Sequence, residues 1–144
     1  MRMMNYEKLV SKGLIKPFKS QPSQIKSRFD LAMRDLKTAK QMLGQSQDWA
    51  YNIAYNAILQ ASRALMFAEG YRPTIGEGQH KVTILFAEIA LGEKFDSEVR
   101  FFDKMRVKRN RAVYDIAGIV SESEARQAIE FAEKFIEKIK EIVD

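Results

Sequence analysis

The sequence of 144 residues contains no cysteine and a single histidine, His80. The absence of cysteine excludes disulfides, thiolate nucleophiles, iron–sulfur clusters and zinc ribbons. One imidazole leaves few ligands for a transition metal, so we predict no metal site and no cofactor. No run of about 18 uncharged apolar residues occurs, and the first residues lack the apolar stretch of a signal peptide. We therefore expect a cytoplasmic protein that does not bind a membrane.

Prolines and glycines are also few, three and seven, and the apolar residues between them recur with helical spacing. This pattern predicts an all-α fold, an up-and-down bundle of four or five helices. The length fits one domain, which we assign to residues 23–144, after an N-terminal extension with a short helix (1–22). The long helices are predicted over residues 23–43, 49–69 with Asp48 as its N-cap, 79–91, 94–113, and from a capping box at 121–124 to the C-terminus.

Basic residues exceed acidic ones, 24 to 19, which gives a net charge of +5. The excess is concentrated in two regions: residues 1–42 contain ten Lys or Arg and three Asp or Glu, and residues 100–111 contain six and one. Residues 121–144 instead contain four and seven. Such a distribution favours an anionic partner, although ordinary solvated helix faces produce the same pattern.

Arg109 occupies a position where helical spacing predicts an apolar side chain. The inward stripe of that helix is predicted to consist of Phe102, Met105, Ala112 and Val113. A guanidinium group cannot lose its proton there, so it must reach solvent, pair with a buried acceptor, or line a polar cleft or a subunit interface. Spacing alone leaves a structural role and a binding role equally open.

The second long helix is apolar around most of its circumference, apart from one polar strip. The strip consists of Asn52, Asn56, Gln60 and Arg63. If it faces Arg109, guanidinium and amide groups form a pocket suited to phosphate, a nucleotide or an RNA backbone. The alternative is a buried hydrogen-bond network that fixes the register of the helices.

His80 lies close to Gly76 and Gly78, near the predicted start of the third long helix. Glycines and helix amides in such a place can receive an anion. The spacing nevertheless matches no P-loop or dinucleotide-binding fingerprint. We interpret His80 first as a surface or capping residue and second as a catalytic candidate.

Two segments together resemble the HEPN family (higher eukaryotes and prokaryotes nucleotide-binding). They are residues 51–73, YNIAYNAILQASRALMFAEGYRP, and residues 109–115, RNRAVYD. The resemblance extends over residues 23–143 through the order of the helices. It implies a helical bundle that forms a homodimer, with the conserved arginine of each subunit in a cleft at the interface. Many members are metal-independent endoribonucleases, often toxins encoded beside a minimal nucleotidyltransferase antitoxin.

The family signature is an arginine, a polar residue and, after a short spacer, a histidine. Arg109 and Asn110 match the first two positions, and Tyr114 occupies the histidine position. A tyrosine with a pKa near ~10 is a poor base at neutral pH. The resemblance therefore implies binding more strongly than cleavage, with Arg109 holding a phosphate and Tyr114 hydrogen-bonding to it or stacking on a base.

These observations support three hypotheses. The first is an RNA- or nucleotide-binding domain, the toxin-like half of a pair with a nucleotidyltransferase. Its binding residues are Arg109, Asn110, Arg111, Tyr114, Asn52, Asn56 and Arg63. The second is a metal-independent endoribonuclease that uses Arg109 together with Tyr114 or His80. The third is a non-catalytic helical protein-interaction module whose polar strip is a buried network.

Overall fold

Helices dominate the computed structural model, which describes residues 5–74 and 78–144. Within these ranges the α-helices are α1 Tyr6–Ser11, α2 Pro22–Met42, α3 Gln47–Ala68, α4 Gln79–Leu91, α5 Asp96–Asn110 and α6 Glu122–Val143. A 3-10 turn, Glu93–Phe95, precedes α5, and a π turn, Arg111–Asp115, follows it. The predicted all-α helical bundle is confirmed.

Strands β1 (Ile15–Pro17) and β2 (Tyr71–Pro73) form a small antiparallel pair that the sequence did not predict. Each strand has three residues and ends in proline, so neither shows a period-two pattern. The pair ties the segment before α2 to the end of α3. Leu9 and Ile15 are buried there in a small apolar cluster with residues of α3 and α4. The division of the chain at residue 22 stays a prediction.

Helix α3 is the central helix of the bundle, as its apolar circumference predicts. It packs against α2 on one side and α6 on another, with α4 and α5 across its remaining faces. Five of its alanines are fully buried: Ala50, Ala54, Ala57, Ala61 and Ala64. Small side chains at the contacts let neighbouring helices approach closely.

Helix α6 has the start and the buried face that the sequence predicts. Ser121 Oγ accepts the amide hydrogen of Glu124 (3.0 Å), and the Glu124 carboxylate accepts the amide hydrogen of Ser121 (3.1 Å). This reciprocal pair is the predicted capping box. The buried side chains of the helix are Ala125, Ala128, Ile129, Ala132, Phe135, Ile136 and Ile139.

Asp48 does not cap α3, contrary to the prediction. The N-cap is Ser46, whose Oγ accepts the amide hydrogen of Trp49. The Asp48 carboxylate instead accepts the amide hydrogens of Gly118 (2.6 Å) and Val120 (3.2 Å). The loop that follows the π turn is thereby tied to the first turn of α3.

Helix α5 ends at Asn110, three residues before the predicted end. In the π turn that follows, the Ile116 amide donates to the Arg111 carbonyl oxygen over 2.8 Å. The wider turn changes the rotation of the chain, so Val113, predicted to face inward, is 40% exposed. Met33 of α2, also predicted inward, is 51% exposed because it lies at the edge of the α2 stripe.

Candidate functional site

Arg109 lies in the last turn of α5 and is half-buried. Its Nε donates to Asn52 Oδ1 over 2.8 Å, and its Nη1 donates to Asn110 Oδ1 over 3.0 Å. The guanidinium carbon lies 5.8 Å from the ring centroids of both Tyr55 and Tyr114. No carboxylate in the described part of the chain pairs with it. Arg109 is therefore held by neutral acceptors and aromatic faces, which leave its full positive charge uncompensated.

The side chain of Arg109 lines a cavity between the start of α4 and the end of α5, here named the Arg109 cavity. Its volume is about 580 Å³, and its lining consists of Gly78, Gln79, His80, Lys81, Arg106, Arg109, Asn110 and Tyr114. The lining thus contains three cationic side chains and, among the residues described, no carboxylate. Concentrated positive charge in a concave surface attracts anions.

Asp103 lies beside the Arg109 cavity and compensates part of its charge. Its carboxylate accepts hydrogen bonds from Arg106 (2.9 Å) and Lys81 (3.2 Å). Partial burial alone raises the pKa of the Asp103 carboxyl, but these two cations outweigh it and bring the pKa below its ordinary value. One anion against three cations leaves the site with a positive excess.

His80 is joined to α3 by a hydrogen bond between its Nδ1 and the hydroxyl of Tyr55, over 3.1 Å. Tyr55 is fully buried, and this burial raises the pKa of its phenol, so the hydroxyl stays protonated. We assign the phenol as the donor and Nδ1 as the acceptor, which places the proton of the neutral imidazole on Nε2.

Burial, followed by the charges of Arg109, Arg63 and Arg106, lowers the pKa of His80 from 6.5 to about 4. At neutral pH the ring is uncharged and offers one N–H donor. Gly78 is the N-cap of α4. His80 is therefore neither the surface nor the capping residue of our first interpretation.

The polar strip of α3 divides between two neighbours, and only Asn52 contacts Arg109. Asn56 Nδ2 donates to Asp35 Oδ2 of α2 over 2.8 Å, and Gln60 Oε1 accepts from Arg28 Nη1 of α2 over 3.0 Å. Residues four apart on an α-helix are offset by about 40°, so the strip winds from α5 towards α2.

Arg63 has the angular position of Asn52 but lies three turns further along α3, a rise of about 16 Å. It lines a separate cavity next to the first. Arg111 is exposed and lines a groove with Tyr51 and Glu124 on another face. Of the predicted binding residues, the structure brings together Arg109, Asn110, Tyr114 and Asn52, and leaves out Asn56, Arg63 and Arg111.

Sequence reasoning missed Arg106, Lys81 and Tyr55. Arg106 precedes Arg109 by three residues, so the two share a helix face, and this spacing was a usable signal. Lys81 adjoins His80 in sequence. Nothing in the sequence links Tyr55 to His80, since the contact depends on how α3 and α4 pack.

Two further findings concern the described residues as a whole. None of their helices is long and apolar enough to cross a bilayer. Nor do these residues contain a group of three or more Asp, Glu or His side chains placed to share a metal ion.

The structure is thus an all-α bundle with a cationic cavity beside the end of α5. A family model for the HEPN domain matches residues 25–142. The chain therefore belongs to the HEPN family, as the two sequence segments indicated. The assignment of Tyr114 to the histidine position, which would place the chain in a branch of the family with Arg-x4-Tyr-Asp, stays a prediction.

The crystal structure of TT1696 from Thermus thermophilus is similar in fold. It aligns with a TM-score of 0.62 and 21% identity, over 82% of this chain and 97% of the Thermus chain. At this identity the likeness concerns the fold alone. No curated protein matches the sequence.

Proposed function

We propose that the chain binds single-stranded RNA, with the phosphate backbone in the Arg109 cavity. The observation that carries the proposal is the state of Arg109: half-buried, oriented by Asn52 and Asn110, and without a described carboxylate partner. Ordering a cation in this way leaves it free to pair with an anion from outside. Guanidinium groups suit this task because their fixed donors match phosphate oxygens.

The remaining residues of the cavity supply complementary contacts. Arg106 and Lys81 add positive charge along the backbone path, and the Nε2–H of His80 is a neutral donor. The ring of Tyr114 is 73% exposed beside the guanidinium group. An exposed aromatic ring next to a phosphate site is a platform on which an unpaired base can stack.

The test is fluorescence anisotropy with a labelled single-stranded RNA at several salt concentrations. Loss of a charged hydrogen-bonding partner in Arg109→Gln is expected to weaken binding about tenfold or more and to reduce the slope of affinity against salt. Arg100→Gln is the matched control, because Arg100 is an exposed arginine of the same helix outside the cavity. Equal weakening in both variants contradicts the proposal, since it indicates general charge attraction.

RNA cleavage without a metal is the second candidate function, and the presence of His80 in the same cavity as Arg109 and Tyr114 favours it. In the assigned tautomer Nε2 carries the proton, so a role as general base requires the other tautomer, in which Nδ1–H donates to the Tyr55 hydroxyl and Nε2 is free to accept a proton. A cleavage assay in EDTA should compare wild type with His80→Asn, Tyr114→Phe and Arg109→Gln. Equal rates in all four proteins, or no cleavage by any, remove this candidate.

We further propose a homodimer that brings the end of α5 to the interface. Three large apolar side chains near Arg109 in the sequence support this arrangement, since Val107, Val113 and Ile116 are 40–48% exposed. Light scattering on wild type and Val113→Lys tests it, and a dimer that dissociates in the variant is expected. A monomeric wild type contradicts it.

The toxin-like role, with a minimal nucleotidyltransferase as antitoxin and a cytoplasmic location, is proposed from the family. Growth should slow on expression of wild type and recover with Arg109→Gln or with co-expression of a neighbouring nucleotidyltransferase. Unimpaired growth on expression of the wild type contradicts the toxin role.

A further inference from the structure

A second cavity, also of about 580 Å³, lies between α2, α3 and the β1–β2 pair. We name it the triple-arginine cavity because Arg28, Arg63 and Arg72 line it. We propose that it is a separate anion site, which binds the phosphate group of a phosphorylated ligand. The proposal does not depend on RNA binding at the Arg109 cavity.

The three arginines come from three different elements, and two of them, Arg28 and Arg72, are oriented by neutral or aromatic groups. Arg28 lies over the ring of Phe67 (5.3 Å to the centroid) in addition to its bond to Gln60. Arg72 lies over the ring of Phe18 at 5.4 Å. No described carboxylate pairs with any of the three arginines or lines the cavity. The site therefore holds three cations, two of them oriented, and its described lining contains no counter-ion.

Arg63 supplies the observation that points most directly to a ligand. Its Nε is fully buried and has no hydrogen-bond acceptor within the described structure. Burial and then the charge of Arg28 lower the pKa of Arg63, yet a guanidinium group stays protonated in proteins. A buried N–H donor without an acceptor is unfavourable. Because Arg63 also lines the cavity, an anion bound there can accept a hydrogen bond from its guanidinium group.

The rim of the cavity adds further positive potential. Ser23 and Ser27, in the first two turns of α2, line it, so the positive end of this 21-residue helix lies beside the arginines. On the sheet, Lys16 of β1 pairs directly with Arg72 of β2. Like charges opposite each other are unfavourable in a sheet without a bound counter-ion.

A phosphate group fits this arrangement better than a single carboxylate does. Guanidinium groups that converge from different elements can each take a different oxygen of one tetrahedral dianion. Two sources have this chemistry, a free mononucleotide and the 5′-phosphate end of an RNA. Gln79 lines both cavities, so they are adjacent.

The experiment titrates wild-type protein with inorganic phosphate, AMP and adenosine and follows the melting temperature and calorimetric binding. Phosphate and AMP are expected to bind and to raise the melting temperature, whereas adenosine is not, because ligands that bind only the folded state stabilise it. Arg63→Gln is expected to weaken binding of both about tenfold. Arg72→Gln, in the short strand β2 instead of the central helix, should weaken it as well and covers the case in which Arg63→Gln does not fold.

Controls separate the two cavities. Arg100→Gln should retain AMP binding. Arg109→Gln should retain the part of AMP binding that Arg63→Gln and Arg72→Gln weaken, because its side chain lies in the other cavity. Binding that is lost in Arg109→Gln but kept in Arg63→Gln and Arg72→Gln overturns the proposal. So does the absence of saturable binding by wild type at millimolar phosphate and AMP.

A further arm identifies the source of the phosphate. Oligoribonucleotides with a 5′-phosphate or a 5′-hydroxyl are compared by anisotropy. Tighter binding of the phosphorylated chain by wild type, lost in Arg72→Gln, supports an RNA end as ligand. Equal binding of the two chains, together with AMP binding, supports a free nucleotide.

Discussion

Asn52 and Asn56 lie one helical turn apart on α3, yet they belong to different kinds of site. Asn56 donates to the carboxylate of Asp35, which is 7% exposed and also accepts hydrogen bonds from Arg34. Asn52 accepts from Arg109, whose charge has no internal counter-ion among the described residues. The sign of the partner's charge, and the presence of a cavity beside it, therefore distinguish a stabilising network from a candidate binding site.

The largest effect is expected from disrupting the hydrogen bonds that Asp35 accepts from Asn56 and Arg34. Asn56→Ala leaves a buried carboxylate without one of its donors, which we expect to lower the free energy of unfolding by about 2 kcal/mol. Urea unfolding measures it, and affinity for RNA should not change. Asn52→Ala is the matched control, with a smaller loss because Arg109 keeps Asn110 as an acceptor. Equal losses in the two variants would contradict the distinction between the sites.

Mild acid should lower the stability of the fold through His80 before it does so through the carboxylates. His80 has a pKa of about 4 in the folded chain and 6.5 as its ordinary value, so between these values the unfolded chain binds a proton that the folded chain does not. Stability therefore falls as pH falls through this window. Urea midpoints measured from neutral pH down to about pH 5 should decline in wild type and decline less in His80→Asn.

Titration of Asp103 and Glu124 does not contribute to the decline of the urea midpoints above about pH 5. Partial burial opposes the effect of Arg106 and Lys81 on Asp103, and the hydrogen bond from Lys108 is the main effect on Glu124. In both cases the pKa is lowered from ordinary values of 3.8 and 4.5. Their stabilising contributions are lost only as pH falls below those ordinary values. An identical decline in wild type and His80→Asn above about pH 5 would contradict the assigned state of His80.

His80 also reports on Arg109, because it is the only histidine in the sequence and its NMR signals are unambiguous. Burial is the main cause of its low pKa, and the charge of Arg109 comes next. Arg109→Gln should therefore raise the pKa of His80 part of the way towards its ordinary value. Asn56→Ala should leave it unchanged. A shift of equal size in both variants would mean that the two sites are not separate.

The smallest effect is expected from Asn52→Ala on RNA affinity. The substitution removes one acceptor that orients Arg109 but keeps the charge, so we expect binding to weaken about threefold, as for one neutral hydrogen bond. Anisotropy measures it, with Asn56→Ala as the comparison. No weakening in Asn52→Ala, or the same weakening in Asn56→Ala, would show that this contact does not position the guanidinium group.

Local signals were sufficient for most of the fold. Helix α4 begins and ends where the glycines and apolar spacing predict, and Ser121 and Glu124 form the predicted capping box. The end of α5 was not predictable in this way, because the π turn follows no residue such as proline or glycine. Asp48 was misassigned because a carboxylate near a helix start is equally able to accept amides from a distant loop.

The site was predictable only in part. Arg109 was found because a charge on an apolar stripe requires an explanation, and Asn52 because it interrupts an apolar helix. Spacing could not tell that Asn56 and Arg63 have other neighbours, since this depends on which helix packs against each turn of α3. The place of His80 in the cavity depends on its hydrogen bond with Tyr55, which lies 25 residues away in the sequence.

The hydrogen bonds that the Asp48 carboxylate accepts from the amides of Gly118 and Val120 restrict the position of Tyr114. The exposed ring lies on a stretch of chain fastened at both ends, by α5 before it and by this carboxylate after it. The position of the Tyr114 ring relative to the guanidinium group of Arg109 therefore depends in part on the first turn of α3. We expect a change at Asp48 to shift the ring of Tyr114 without altering any residue that lines the Arg109 cavity.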